Sequence, residues 1–247
     1  LVESFQADLV QSRKKNGKPL ALTTVAGHLG TLRVWGRTLV RLGYFDRSPC
    51  EWIEPPKVGR PLQDPVPTED EILRLLAVPD VRVPRGYRDR TMLEVLYGAA
   101  LRISELCDLD ITDADVIRGT VTIREAKAGS SGIVPMGPVA SEFVDGYLRN
   151  VRNLFVRPGE ARTALFLGTQ GERIAVGMLE YMFDQWVLAA GITKRVTPHT
   201  LRAAAATHML QRGCDLRMIQ EYLRHRRLTS TERYLRLSGD RSLAEAY

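Results

Sequence analysis

The 247-residue chain is short of several things, and each shortage excludes something. It holds no run of about 18 apolar residues, the length a helix needs to cross a bilayer, so no membrane span is expected. Cys50, Cys107 and Cys214 are odd in number and far apart, without the spacing of a disulfide framework or a zinc site. They read as reduced, structural thiols. No carboxylate pair and no His/Cys cluster points to a metal, and no cofactor is expected. The opening LVESFQADLV has neither a basic stretch nor an apolar core of the secretory kind, so no signal peptide is expected and the location reads as cytoplasmic. Lysine is scarce too, with 6 residues against 29 arginines.

What is present is arginine. Net charge is +6 and the pI about 9.4. The planar guanidinium fork suits phosphate, and a basic balance favours a polyanionic partner such as nucleic acid. With 44% hydrophobic and 26% charged residues, the chain otherwise has ordinary globular composition.

Residues 1–53 read as helical throughout. VESFQADLVQSRKK is amphipathic and is expected to stop at Asn16-Gly17. The next stretch spaces Leu29, Leu32, Trp35, Leu39 and Leu42 at helical intervals, predicting a buried face. Arg33, Arg37 and Arg41 form a stripe four residues apart on the other face, a candidate DNA contact or simply a solvated surface. Residues 54–68, EPPKVGRPLQDPVPT, hold five prolines and read as a linker. Thr68 and Glu71 form a capping box that opens the next helix. The expected division is a helical DNA-binding domain over 1–60 and a second domain over 61–247.

The second domain reads as mainly helical with one β excursion. Helices are expected around 86–109, then short strands in ADVIRGTVTIREAKAGSSGIVPMG with a turn at AKAGSSG. Further helices are expected near 138–150, 175–190, 198–212, 215–223 and 229–237. The predicted fold class is mainly α with a small antiparallel β-sheet.

One helix start stands out. In TPHTLRAAAATHML, residues 197–210, Thr197 reads as the N-cap and Pro198 as the first helical residue. His199 and Arg202 then share a face in the opening turns, where a helix N-terminus attracts phosphate. The ordinary arrangement would be a buried histidine and a solvated arginine. Further on, Asp215 caps the helix before His225, and Thr229 with Glu232 caps the helix bearing Tyr234, nine residues after His225. His28 and His208 read as structural.

Taken together, ALRISEL (100–106), AKAG (126–129), HTLR (199–202) and LRHRRLTSTERY (223–234) resemble the tyrosine recombinases, or lambda-integrase-type recombinases. Order and spacing match along the whole chain, and the layout is closest to the Xer-type enzymes. The resemblance implies a helical core-binding domain joined to an α+β catalytic domain. It implies catalytic roles for Arg102, Lys127, His199, Arg202, His225 and Tyr234, with Glu105 orienting Arg102. It also implies double-stranded DNA with paired recombination sites as substrate and other protomers in a tetrameric synapse as partners. The segment 238–247 would then dock on a neighbouring protomer. Ala203, Arg224 and Ala126 stand where many relatives carry histidine, glycine and glycine.

The residues make chemical sense of this. A tyrosine hydroxyl with a pKa near 10 is a weak nucleophile until it lies in line with phosphorus among strong positive charges. Two arginines can clamp the nonbridging oxygens, and Lys127, one of two lysines after residue 57, can protonate the leaving 5′-oxygen. A DNA-binding accessory protein that kept the fold without turnover is the alternative; a metal-dependent nuclease would need acidic ligand clusters.

Overall fold

The structure, a computed structural model, describes residues 2–14, 17–56, 66–124, 131–157 and 163–224. The chain divides into two compact units, Leu1–Gln63 and Asp64–Tyr247.

In the first unit α1 spans Val2–Gln11 and α2 spans Leu22–Arg41. The first helix therefore stops at Gln11, short of the Asn16-Gly17 stop that the sequence suggested. The chain instead doubles back through a bridge between Arg13 and Pro19, with Gly17 at a φ of 76°. Residues 42–53 are turns rather than helix. The small core consists of Val25, Leu29, Cys50 and Ile53, with Leu9, Leu20 and Leu32 packed on it. The expected face of α2 is thus corrected: Trp35 is 53% and Leu42 64% exposed. Of the expected face Leu29 is buried and Leu32 packs on the core, and the buried stripe runs through Val25, Leu29 and Gly36. Ser48 and Cys50 occupy the space that a side chain at Gly36 would need, so the returning loop crosses α2 there.

The second unit is built around α4. Helix α3 (Glu69–Ala77) opens with the reciprocal Thr68–Glu71 capping box. Helix α4 (Pro84–Gly98) comes after it, and its Met92, Leu93, Val95 and Leu96 are inaccessible or nearly so. A short α5 (Ile103–Asp108) comes next, then the three-stranded antiparallel sheet β1 (Ala114–Asp115), β2 (Thr120–Ile123) and β3 (Gly132–Pro135). Val121 faces Val134 across the β2–β3 ladder, and both side chains are buried while Thr122 and Ile133 are exposed. Period-two alternation is what a sheet with one covered face requires. Helix α6 (Pro138–Gly146) runs into a π turn over Tyr147–Val151. Helices α7 (Val176–Ala189), α8 (Pro198–Gln211) and α9 (Leu216–Tyr222) complete the described part. The expected helix at 229–237 and the turn at AKAGSSG lie outside the described residues, apart from the turn's last two residues, 131–132.

Helix α8 is fixed at its start and packed closely along its length. Thr197 caps it reciprocally with Thr200, the Thr200 amide donating to Thr197 Oγ1 at 3.2 Å and the Thr197 amide to Thr200 Oγ1 at 2.7 Å. Behind that start, Ala203, Ala205 and Ala206 join Ala100, Ile219 and Leu223 in a second, small core. Methyl-sized side chains let α9 and the turn after α4 approach the α8 backbone closely.

Thr197→Ala is expected to lower stability by about 1 kcal/mol, the usual cost of losing an N-cap. Urea unfolding followed by tryptophan emission reads it, because Trp186 is buried in this unit while Trp35 and Trp52 are exposed. An unchanged midpoint would mean that Pro198 alone sets the helix start.

Candidate active site

The turn between α4 and α5 carries the first candidate, Arg102. Helix α4 ends at Gly98, and Ala100 turns the chain through a left-handed φ of 45°, a conformation L-residues enter at a cost. The turn is tied down from three sides. The Tyr222 hydroxyl donates to the Gly98 carbonyl. Arg202 donates to the Ala100 carbonyl at 2.5 Å. Arg102 itself caps α5, its amide donating to Glu105 Oε2 at 2.8 Å and its guanidinium to Oε1 at 2.6 Å.

Glu105 is the centre of the cluster. Its side chain is 3% exposed, yet it meets guanidinium groups from three parts of the chain. Arg102 lies at 2.6 Å on one oxygen, Arg224 at 2.6 Å on the other, and Arg202 at 3.7 Å from that same oxygen. Burial by itself would raise the Glu105 carboxyl. The Arg102 amide, the charge and hydrogen bond of Arg224 and the Arg102 guanidinium outweigh it and hold the group below the usual carboxylate range.

The two helix-start residues are the reverse of the ordinary arrangement: His199 is exposed and Arg202 is 2% exposed. Arg202 donates to the carbonyls of Ala100 and Leu223, joining the α4–α5 turn to the end of α9 across α8. Arg102, with a side chain 43% exposed, is the arginine of the pair that faces outward. The structure thus gathers Arg102, Arg202 and Glu105, with His199 one turn before Arg202 on α8. Lys127, His225 and Tyr234 lie outside the described residues, as do Ala126 and the Thr229–Glu232 cap. The tail 238–247 lies outside them as well.

The strands on either side of Lys127 in the sequence, β2 and β3, belong to the sheet. Ile123 pairs with Gly132 at the end of the ladder, and Arg124 is anchored on Asp110 at 2.7 Å and on Asp113. A cavity of about 180 Å³ opens beside it, lined by Glu105, Asp108, Asp113, Thr122 and Arg124 among others. Lys194 is held by Glu71 at 2.5 Å and by the Val66 carbonyl at 3.0 Å. The Tyr222 hydroxyl is taken up by the Gly98 carbonyl, and burial pushes its pKa upward. His208 is buried with Nδ1 2.9 Å from the Tyr97 hydroxyl, and His28 is exposed on α2. In the first unit Arg33, Arg37 and Arg41 are exposed, and the first two border a groove shared with Asp46, Arg47 and Glu51. All three cysteines are free thiols. Among the described residues no helix is long and apolar enough to cross a membrane, and no three His, Cys, Asp or Glu side chains come together as metal ligands would.

Comparison with known proteins decides what such a cluster belongs to. The sequence profile of the phage integrase family matches residues 66–241. The chain belongs to the phage integrase family. This recombinase is a DNA breaking-and-rejoining enzyme of the tyrosine recombinase type. It is 35% identical over 215 residues to the tyrosine recombinase XerD of Staphylococcus haemolyticus (strain JCSC1435), covering 87% of this chain and 72% of that protein. The crystal structure of XerA recombinase matches with a TM-score of 0.63 and 28% identity, over 100% of this chain and 80% of that one. A lambda integrase dimer bound to a COC' core site matches with a TM-score of 0.68 over 97% of this chain and 79% of that one. At 17% identity it shows the shared fold.

Sequence reading gave no structural role to Arg224 or Ala100. Their common signal is a left-handed backbone at a residue other than glycine, which no pattern of residue types announces. The recombinase's two candidate catalytic arginines also differ in what their loss costs. Arg202→Ala is expected to lose about 3 kcal/mol of stability, because it strips a buried carboxylate and two carbonyls of a partner. Arg102→Ala, at a half-exposed pair, is expected to lose about 1 kcal/mol or less. Urea unfolding of both variants measures the difference, and equal losses would contradict the buried role of Arg202.

Proposed function

We propose that this recombinase exchanges strands between paired DNA sites through a 3′-phosphotyrosyl intermediate formed on Tyr234. The observation that carries the reading is the gathering of Arg102 and Arg202 on one buried carboxylate within a chain of the tyrosine recombinase family. Tyr234 gives up its phenolic proton to water and attacks phosphorus; a Tyr–O–P bond forms as the bond to the 5′-oxygen breaks. Arg102, held outward by Glu105, meets the nonbridging oxygens first. Arg202 adds positive field from beneath, and His199 and His225 donate to the same oxygens. Lys127 protonates the leaving 5′-oxygen, a role supported by the engagement of the unit's other lysine, Lys194, with Glu71. The covalent link conserves the phosphodiester energy, so the 5′-hydroxyl of a second strand can reverse the step and no ATP is needed.

Residues 1–60 serve in this reading as the core-binding domain and 61–247 as the catalytic domain. The exposed stripe Arg33, Arg37 and Arg41 contacts phosphate on the DNA. The assembly is a tetrameric synapse of protomers on double-stranded DNA, joined through residues 238–247 and working in the cytoplasm.

Tyr234→Phe tests the chemistry, because it removes the attacking oxygen and little else. On a nicked recombination site the wild type is expected to form a covalent protein–DNA adduct, and the variant none, with DNA affinity within about twofold since phosphate contacts are many. An adduct that persists in Tyr234→Phe would move the nucleophile to another residue.

A further inference from the structure

Arg224 is built into the site at a cost that its position in the chain does not require. It lies just past the end of α9 and adopts a φ of 53°, a left-handed conformation that side chains other than glycine rarely enter. Its amide donates to the Glu221 carbonyl at 2.9 Å, closing the helix end. From there the side chain runs inward and is 5% exposed. Its Cδ passes within 3.3 Å of where a Cβ on Gly132 would sit, so the first residue of β3 leaves room for it. The guanidinium ends 2.6 Å from Glu105 Oε2. A buried guanidinium and a strained backbone both work against folding. Here they converge on the one carboxylate that holds Arg102.

We propose that Arg224 is a positioning residue for DNA cleavage: by binding Glu105 Oε2 it fixes the carboxylate so that Oε1 holds the Arg102 guanidinium toward the scissile phosphate. The inference rests on the reading of Arg102 as the phosphate-facing arginine. The geometry divides the labour by oxygen atom. Oε1 belongs to the Arg102 guanidinium at 2.6 Å, while Oε2 is shared by Arg224 at 2.6 Å, the Arg102 amide at 2.8 Å and the more distant Arg202 at 3.7 Å. Without Arg224 the Arg102 amide alone holds Oε2 at short range, so the carboxylate can turn toward Arg202 and its grip on the Arg102 guanidinium loosens.

The role has a pH signature. The groups facing Glu105 are Arg102 from the α4–α5 turn, Arg202 from α8 and Arg224 after α9, with Asp108, Asp113 and Arg124 around the adjoining cavity. Arg224 helps hold the Glu105 carboxyl below its ordinary range. The ionised carboxylate is the form that binds Arg102, so cleavage falls as pH drops through the Glu105 pKa. Removing Arg224 raises that pKa and moves the acid limb to higher pH.

The test is single-turnover adduct formation on a nicked site with DNA saturating, as a function of pH, for Arg224→Gly, Arg224→Met and Arg224→Lys. Glycine relieves the left-handed backbone but removes a partner of the buried carboxylate, so the Gly variant is expected to melt lower, and its rate is read at a temperature where it stays folded. Its adduct rate is expected to fall on the order of 10-fold, as when a reacting group is slightly misplaced. Its acid limb should rise while DNA affinity is unchanged, with Arg224→Met behaving alike and Arg224→Lys recovering part of the rate. A Gly variant with the wild-type rate and acid limb overturns the inference. So does a loss that tracks melting temperature with the acid limb unmoved, since that is a packing role. A wild type that forms no adduct removes the reading of the whole site and this inference with it.

Discussion

A single buried carboxylate organises this catalytic unit. Glu105 is taken out of water and kept ionised, which is tolerable only if its charge is met at short range. It is met by three guanidinium groups that no single element could supply: Arg102 from the α4–α5 turn, Arg202 from α8 and Arg224 from the end of α9. Much of the surrounding architecture results from bringing those three to one place. Ala100 takes up a left-handed conformation so that its carbonyl meets Arg202, and the Tyr222 hydroxyl fastens the Gly98 carbonyl from the α9 side. Ala203, Ala205 and Ala206 keep α8 thin enough for both neighbours to close on it.

Three cations against one anion leave the centre positive, and burial makes that charge count. In a low-dielectric interior, guanidinium groups already fixed in place stabilise developing phosphate charge without reorganising when it appears. The half-exposed Arg102 and the inaccessible Arg202 divide the work by depth, one facing outward and the other holding the scaffold from behind. A site assembled from three elements also couples chemistry to the integrity of the C-terminal part of the chain. Movement of α9 reaches Arg202 through the Leu223 carbonyl and Glu105 through Arg224.

Local signals in the sequence were legible wherever the chemistry itself is local. The Thr68–Glu71 and Thr197 caps, the Asp215 cap and the alternating β2 strand all depend on residues within a few positions of each other. Arg102 and Arg202 were singled out through the resemblance; that both lie on the same buried carboxylate was not foretold by any motif. Features decided by distant partners were not legible. Trp35 and Leu42 carry the right period on α2, but the returning loop covers the Val25–Gly36 side and leaves them exposed. The first helix ends at Gln11 because the chain folds back from Arg13 to Pro19, a pairing that no capping residue foretells. Nothing near Arg224 in sequence points to Glu105, since the left-handed turn after α9 is what sends its side chain there.

Replacing Glu105 by glutamine tests the central claim most directly, because it keeps the shape of the side chain and removes the charge that gathers the arginines. In a single-turnover assay on a nicked site with DNA saturating, Glu105→Gln is predicted to form the covalent adduct at least about 10-fold more slowly, the scale of a misplaced reacting group. DNA affinity should stay near that of the wild type. Adduct formation at the wild-type rate would show that the arginines are held without Glu105 and would contradict the account.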